Sequence, residues 1–423
     1  MFATERIAQI VENCQTLVRE ESLSGQESGV VRAIEAMMRA YGFDEINIDH
    51  YGNIVGGIVG ARPGKTVVFD GHIDTVPYDA EKWTRAPLGG EVADGRIYGR
   101  GTTDMKGSVS AMISAAGFFA EDKQRDFAGK IYIACVVHEE CFEGVAARAV
   151  SEAYKPDLVV IGEASDLNLK IGQRGRAEIV VETFGKPAHS ANPQAGINAV
   201  YQMTRLIDRI RRIEPTQHPV LGPGILELTD IKSSPYPGAS VVPDYCRATY
   251  DRRLLVGETQ DSVLAPLQDA VAELAAADPQ FKAKVSYAFG REKCFTGNDI
   301  EGERFFPGWV FGEADEGVQL ALAGLRGVGL APSIQQYSFC TNGSHYAGEA
   351  GIPTVGFGPS TERLAQMREI QQKTKQPTGY DRLCHGKTRE ERAAMPGFSE
   401  TPVVRMLIPD DVELEFDDLI RGR

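Results

Sequence analysis

The 423-residue chain lacks several features that would have set its class at once. No apolar run approaches the ~18 residues that span a bilayer, and the first residues carry charge where a secretory signal needs an apolar stretch. The seven cysteines are odd in number and include no CxxC pair, which argues against both a zinc ribbon and a disulfide framework. Internal repeats and low-complexity tracts are absent. Bases are scarce: 45 Lys and Arg face 59 Asp and Glu, giving a net charge of −14. A surface of that sign repels phosphate backbones, so nucleic acid is not an expected partner. The expectation is a cytoplasmic protein without membrane attachment. It is too long for one core, and its 42% hydrophobic and 25% charged residues are ordinary for globular domains.

Periodicity supplies the organisation. Ile7, Ile10, Val11 and Leu17, then Val30, Val31, Ile34, Met37 and Met38, recur at helical spacing, with Ser24-Gly25 breaking the run into two helices. Short β-rich segments follow at 46–48, 54–59 and 66–69, and a helix is predicted from Gly107 to about Phe119. Strands at 130–137 and 158–161 end in His138-Glu139-Glu140 and Gly162-Glu163. Strands with acidic tips that alternate with helices predict an α/β fold with its ligands at the carboxyl ends of the strands. From about Arg174 the order becomes β-α-β-β-α-β, which predicts a ferredoxin-like α+β insertion. A helix at 318–325 and a strand at 354–357 then resume the first domain. Residues 366–423 are charge-rich, with 10 bases and 11 acids, and do not continue the sheet pattern.

Four polar clusters stand at the strand ends: His72-Ile73-Asp74, Asp104, Glu139-Glu140 and Glu163. Alternate strand residues point the same way, so in H-x-D an imidazole can bind metal while the carboxylate orients it. Asp104 sits in the glycine-flanked turn Gly101–Gly107, which exposes it at a helix start. The adjacent Glu139 and Glu140 point differently, so one can bind metal while the other moves a proton. One imidazole among several carboxylates suits a divalent ion, zinc first, with cobalt or manganese as substitutes.

Taken together, Asp70-Gly71-His72-Ile73-Asp74, Gly99-Arg100-Gly101-Thr102-Thr103-Asp104-Met105-Lys106-Gly107, His138-Glu139-Glu140 and Gly162-Glu163-Ala164 resemble the dizinc amidohydrolases and metallopeptidases. These include acetylornithine deacetylase, succinyl-diaminopimelate desuccinylase and carboxypeptidase G. Cys340-Thr341-Asn342-Gly343-Ser344-His345 is most similar to the selenium-metabolism-linked hydrolase subgroup. The resemblance covers about residues 1–365. It implies a zinc-exopeptidase-like catalytic domain at 1–174 and 290–365, and a lid and dimerisation domain at 175–289. It also implies hydrolysis of an amide or peptide bond in a small N-acyl or N-carbamoyl amino acid or dipeptide, by a homodimer formed through the lid. Carried over by position, His72 and Glu163 hold one zinc, Glu140 the other, and Asp104 bridges both. Asp74 orients His72, Glu139 is the general base, and His189 of the lid steadies the oxyanion. Arg253, Asn342 and His345 fall on the substrate side.

One element of the resemblance is missing. The family takes its last zinc ligand from a histidine shortly after the strand that precedes Gly358-Pro359, and Gln366 stands there instead. A neutral amide oxygen is a poor zinc ligand, and His385 is the only later histidine. One zinc in place of two is therefore expected, with impaired turnover. The alternative is a non-catalytic metal- or ligand-binding remnant. The segment from about 367 to 423 resembles an internal stretch of glutamyl-tRNA synthetase, through Tyr380–Cys384, Lys387–Arg392 and Phe416–Gly422, which implies a fused gene.

Overall fold

The structure, a computed structural model, describes residues 4–361, 405–407 and 413–415. Gln366 and His385 lie outside the described residues, as does almost all of the segment likened to a synthetase. The chain divides into two compact units, one of Met1–Gly172, Glu292–Ile300 and Phe311–Arg423, the other of Gln173–Arg291 and Glu301–Val310. This is the expected mixed α/β fold with an inserted α+β unit.

In the first unit, strands Glu45–Ile48, Ile54–Val59, Ala128–Val136, Arg62–His72, Leu158–Ile161, Thr354–Gly356 and Leu169–Gln173 neighbour one another in that order. The middle of the sheet is parallel: Arg62–His72 pairs with both Ala128–Val136 and Leu158–Ile161, and the latter with Thr354–Gly356. The flanking pairs are antiparallel. Helices Thr4–Arg19 and Ser28–Ala40 turn Ile7, Ile10, Leu17, Val30, Val31, Ile34 and Met38 inward, as their spacing requires. The register sets His72 beside Val136 and Asp70 beside Ile161. The carboxyl ends of three parallel strands therefore lie level. Residues just past those ends, Asp74, Glu139, Glu140 and Glu163, share one edge of the sheet, where α/β folds place ligands.

In the second unit, strands Ile225–Ser234, Tyr245–Leu254, Gly175–Phe184 and Lys282–Tyr287 form an antiparallel sheet in that order. Helices Ala199–Ile210 and Gln260–Ala277 cover it. Asn198 caps the first by accepting from Val200 N and Tyr201 N, and Thr259 with Ser262 caps the second reciprocally. Ala177, Ile179, Val181, Met203, Leu206, Ile210, Ala248, Leu254 and Leu267 fill the space between. Phe305–Phe306 also pairs with Gly175–Phe184. No helix among the described residues is long and apolar enough to cross a membrane.

Candidate metal centre

His72 ends its strand almost fully buried. Its Nε2 lies 2.8 Å from Asp104 Oδ1 and 3.3 Å from Glu163 Oε1. One ligand atom from each of these three residues falls within 4.8 Å of the other two, the one such grouping among the described residues. Asp104 is delivered by an irregular turn, Thr102–Lys106, that precedes helix Gly107–Lys123. Gly101 opens that turn at φ 84°, a conformation that favours glycine, and a Cβ there would stand 2.9 Å from the Thr75 side chain. Lys106 anchors the far end: it is buried, and its Nζ donates to Glu20 O at 2.7 Å.

Asp74 sits at the hub of the centre, wholly buried. Its carbonyl oxygen, not its carboxylate, is the nearer partner of His72 Nδ1, at 2.9 Å against 3.5 Å. The carboxylate accepts from Glu139 N at 3.1 Å, Glu140 N at 3.2 Å and Ser24 Oγ at 2.7 Å. It therefore fixes the backbone on which both glutamates ride. The Ser24 contact comes from the loop between the first two helices, where Ser22 O also accepts from Thr75 N at 2.8 Å.

The electrostatics of the centre are those of a site short of positive charge. Burial pushes Glu139, Glu140 and Glu163 above the usual carboxylate range, and the neighbouring acids push them further. Burial works against a charged His72 ring, yet hydrogen bonds to Asp104, Asp74 and Glu163 hold it well above its ordinary value. Hard carboxylate oxygens around one imidazole, with too little cationic charge to balance them, fit a divalent cation.

The remaining sequence-predicted residues fall elsewhere. Asn342 is buried, giving its Nδ2 to Asp70 Oδ1 at 2.9 Å and taking Gly144 N at 3.0 Å on its Oδ1. Tyr346 Oη donates to the other Asp70 oxygen at 2.9 Å. His345 has both ring nitrogens engaged, Nε2 with Ser151 Oγ at 2.6 Å and Nδ1 with Glu349 Oε2 at 2.7 Å. Arg253, in the second unit, pairs along its own strand with Asp251 at 3.1 Å. His189, also there, is exposed, and its Nδ1 accepts from Ala191 N at 3.1 Å. That bond leaves the proton of a neutral ring on Nε2.

Fold and site together define a metal-dependent hydrolase of amide or peptide bonds. Residues 68–371 match the family described as Peptidase family M20/M25/M40, and the chain belongs to it. The uncharacterized protein YgeY of Escherichia coli (strain K12) is 32% identical over 352 residues, 82% of this chain and 85% of its own. A succinyl-diaminopimelate desuccinylase of Cereibacter sphaeroides (strain ATCC 17025 / ATH 2.4.3) is 33% identical over 274 residues, 62% and 71% of the two chains. Among solved structures, the aminopeptidase PepT from Bacillus cereus ATCC 10987 superposes with a TM-score of 0.64 at 20% identity, covering 83% of this chain and 90% of its own. YxeP of Bacillus subtilis, a dinuclear metal-binding peptidase of family M20, gives 0.61 at 15% identity, covering 84% and 90%. These two likenesses are of fold.

Proposed function

We propose that the chain is a zinc amidohydrolase that cleaves the amide bond of a small N-acyl or N-carbamoyl amino acid or a dipeptide. The observation that carries this reading is the group formed by buried His72 and Glu163 with half-buried Asp104, and with Glu139 and Glu140 on a backbone fixed by Asp74. His72 and Glu163 would hold one cation and Glu140 the other, with Asp104 contributing to both. When bound, the cations would polarise the scissile carbonyl and make a nearby water acidic. Glu139 would accept the water proton and return it to the leaving amine, and its burial favours holding that proton between the two transfers. Asp74 keeps the His72 ring and both glutamates in register. His189, with its proton on Nε2, would donate to the oxygen on which charge develops.

In this reading the first unit would be catalytic, the second would form a lid through which two chains pair, and the protein would work in the cytoplasm. The net charge of −14 supports small-molecule rather than nucleic-acid partners. Gln366, in place of a histidine, favours a second reading: one metal per chain and weak or no turnover. Metal analysis of the purified chain, alongside hydrolysis of an N-acyl amino acid panel, separates the two readings. Two tightly held zincs with full turnover would refute the second, and no metal at all would refute both.

A further inference from the structure

The proposed reaction leaves one group of buried donors in the first unit unused. Arg100 follows strand Arg96–Tyr98 and is only 4% exposed. Among the described residues its Nε and Nη2 have no hydrogen-bond partner, and neither has the buried Nε1 of Trp83. The guanidinium carbon lies 5.2 Å from the centre of the Trp83 ring, so the two side chains form one patch. Tyr78 stands beside it, 6.3 Å from Trp83 ring to ring, with its hydroxyl spent on Glu21 Oε1 at 2.8 Å.

The chemistry of the patch is one-sided. Indole and guanidinium N–H groups donate and cannot accept, so all three unmet atoms call for an acceptor. Native interiors rarely leave buried donors unmet, least of all on a charged side chain. Glu140 and Asp104 are close enough to influence Arg100 electrostatically. Both are residues to which the proposed function gives metal. Divalent cations there would cancel the negative field that now offsets the guanidinium, and the arginine would then need an anion of its own. A planar guanidinium matches a carboxylate better than any other common anionic group on a small amide.

We propose that Arg100 and Trp83 form a carboxylate-recognition subsite, which reads an acidic group on the substrate at a distance from the bond being cut. This rests on the amidohydrolase reading above. The carboxylate has two sources, the acyl chain or the amino acid, and suitable probes separate them. N-succinyl butylamine carries it on the acyl side, N-acetylalanine on the amine side, and N-acetylalanine amide on neither. Steady-state kinetics on the zinc-loaded full chain would compare wild type with Arg100→Gln, Arg100→Lys and Trp83→Phe. Succinate and acetate titrated calorimetrically into the same proteins give a readout that needs no turnover.

The expected result is about a tenfold or larger rise in KM for one carboxylate-bearing probe in Arg100→Gln, with kcat little changed and the neutral amide unaffected. The affected probe names the source. Arg100→Lys should recover part of the loss, because it restores charge but not the fork. Trp83→Phe keeps an aromatic ring and removes one donor, so it should raise KM by about threefold; it decides the matter if the arginine variants fail to fold. Equal losses on charged and neutral probes would overturn the proposal and make Arg100 structural. Unchanged carboxylate affinity in Trp83→Phe and Arg100→Gln would overturn it as well, and would leave ordered water as the partner of the donors. If wild type turns over no amide, the hydrolase reading fails, and the calorimetric difference between wild type and variants still decides the subsite.

Discussion

The two units treat polar groups in opposite ways. The second unit packs Ile179, Val181, Met203, Leu206, Ile210 and Leu254 into a cluster without charge. Ion pairs such as Arg209 with Glu273 and Arg205 with Asp278, each at 2.7 Å, lie at its surface, and its buried Arg252 is matched by Glu258. The first unit instead buries His72, Asp74, Glu139, Glu163, Arg100 and Lys106. Even Asp70, raised to about 6 chiefly by burial, is held by Asn342 and Tyr346. Dehydrating charge is costly unless it is matched. The apolar cluster of the second unit needs no counter-charge, whereas the first concentrates unmatched acid at one sheet edge, a charge that a bound cation would balance.

The sharpest way to break this contrast lies inside the acidic edge. Glu139→Ala should cut turnover by roughly 10²–10⁴-fold, the range for a general base, with metal content unchanged. Glu140→Ala should lower metal content. Equal metal loss in both variants, read by elemental analysis, would erase the division between proton carrier and ligand. Next comes the apolar core: Leu206→Ala should cost ~2–5 kcal/mol of stability by denaturant unfolding, with the metal content of the first unit unchanged. A coupled loss of metal would show that the two units do not behave independently.

His189→Ala tests whether the second unit nevertheless contributes to the chemistry. One lost oxyanion donor should cost ~2–4 kcal/mol in kcat with metal retained; unchanged kcat would remove it from the reaction. The smallest expected effect concerns Glu349. Burial disfavours its charge, yet hydrogen bonds from His345 and Arg148 bring it down to about 2. A carboxylate depressed in the folded state adds stability above its unfolded value, ~4.3, and loses it as pH falls towards 2. Glu349→Gln should therefore cost about 1 kcal/mol at pH 7 and almost nothing near pH 2. A cost that does not vary with pH would assign the effect to packing.

How much of this was legible in the sequence follows the same divide. Helical and strand periodicity gave both units their elements, because burying one face of a helix or strand imposes a repeat on the residues. The H-x-D spacing and the acidic strand ends were readable for the same reason. Backbone acceptors were not, since no residue type encodes them. His72 Nδ1 meets the Asp74 carbonyl, which frees that carboxylate to hold Glu139 N and Glu140 N. Ser24 gave a signal only as part of a helix break, and its bond to Asp74 appears only once the chain is folded. Asn342 and His345 carry the polarity of substrate ligands, yet Asn342 is engaged by buried Asp70 and His345 by half-buried Ser151. The two-residue strand Phe305–Phe306 is too short to show any period.

The parallel pairing of Val160 with Val355 has a consequence for the order in which the molecule is made. That bond of the sheet joins a strand translated before the inserted unit to one translated after it. The core strands and helices of the second unit come from one uninterrupted stretch, Gln173–Arg291. Nearby contacts form sooner than distant ones, and domains tend to fold as units during synthesis. On the ribosome the apolar unit is expected to finish first, while Glu163 emerges early and waits for the neighbour of its own strand.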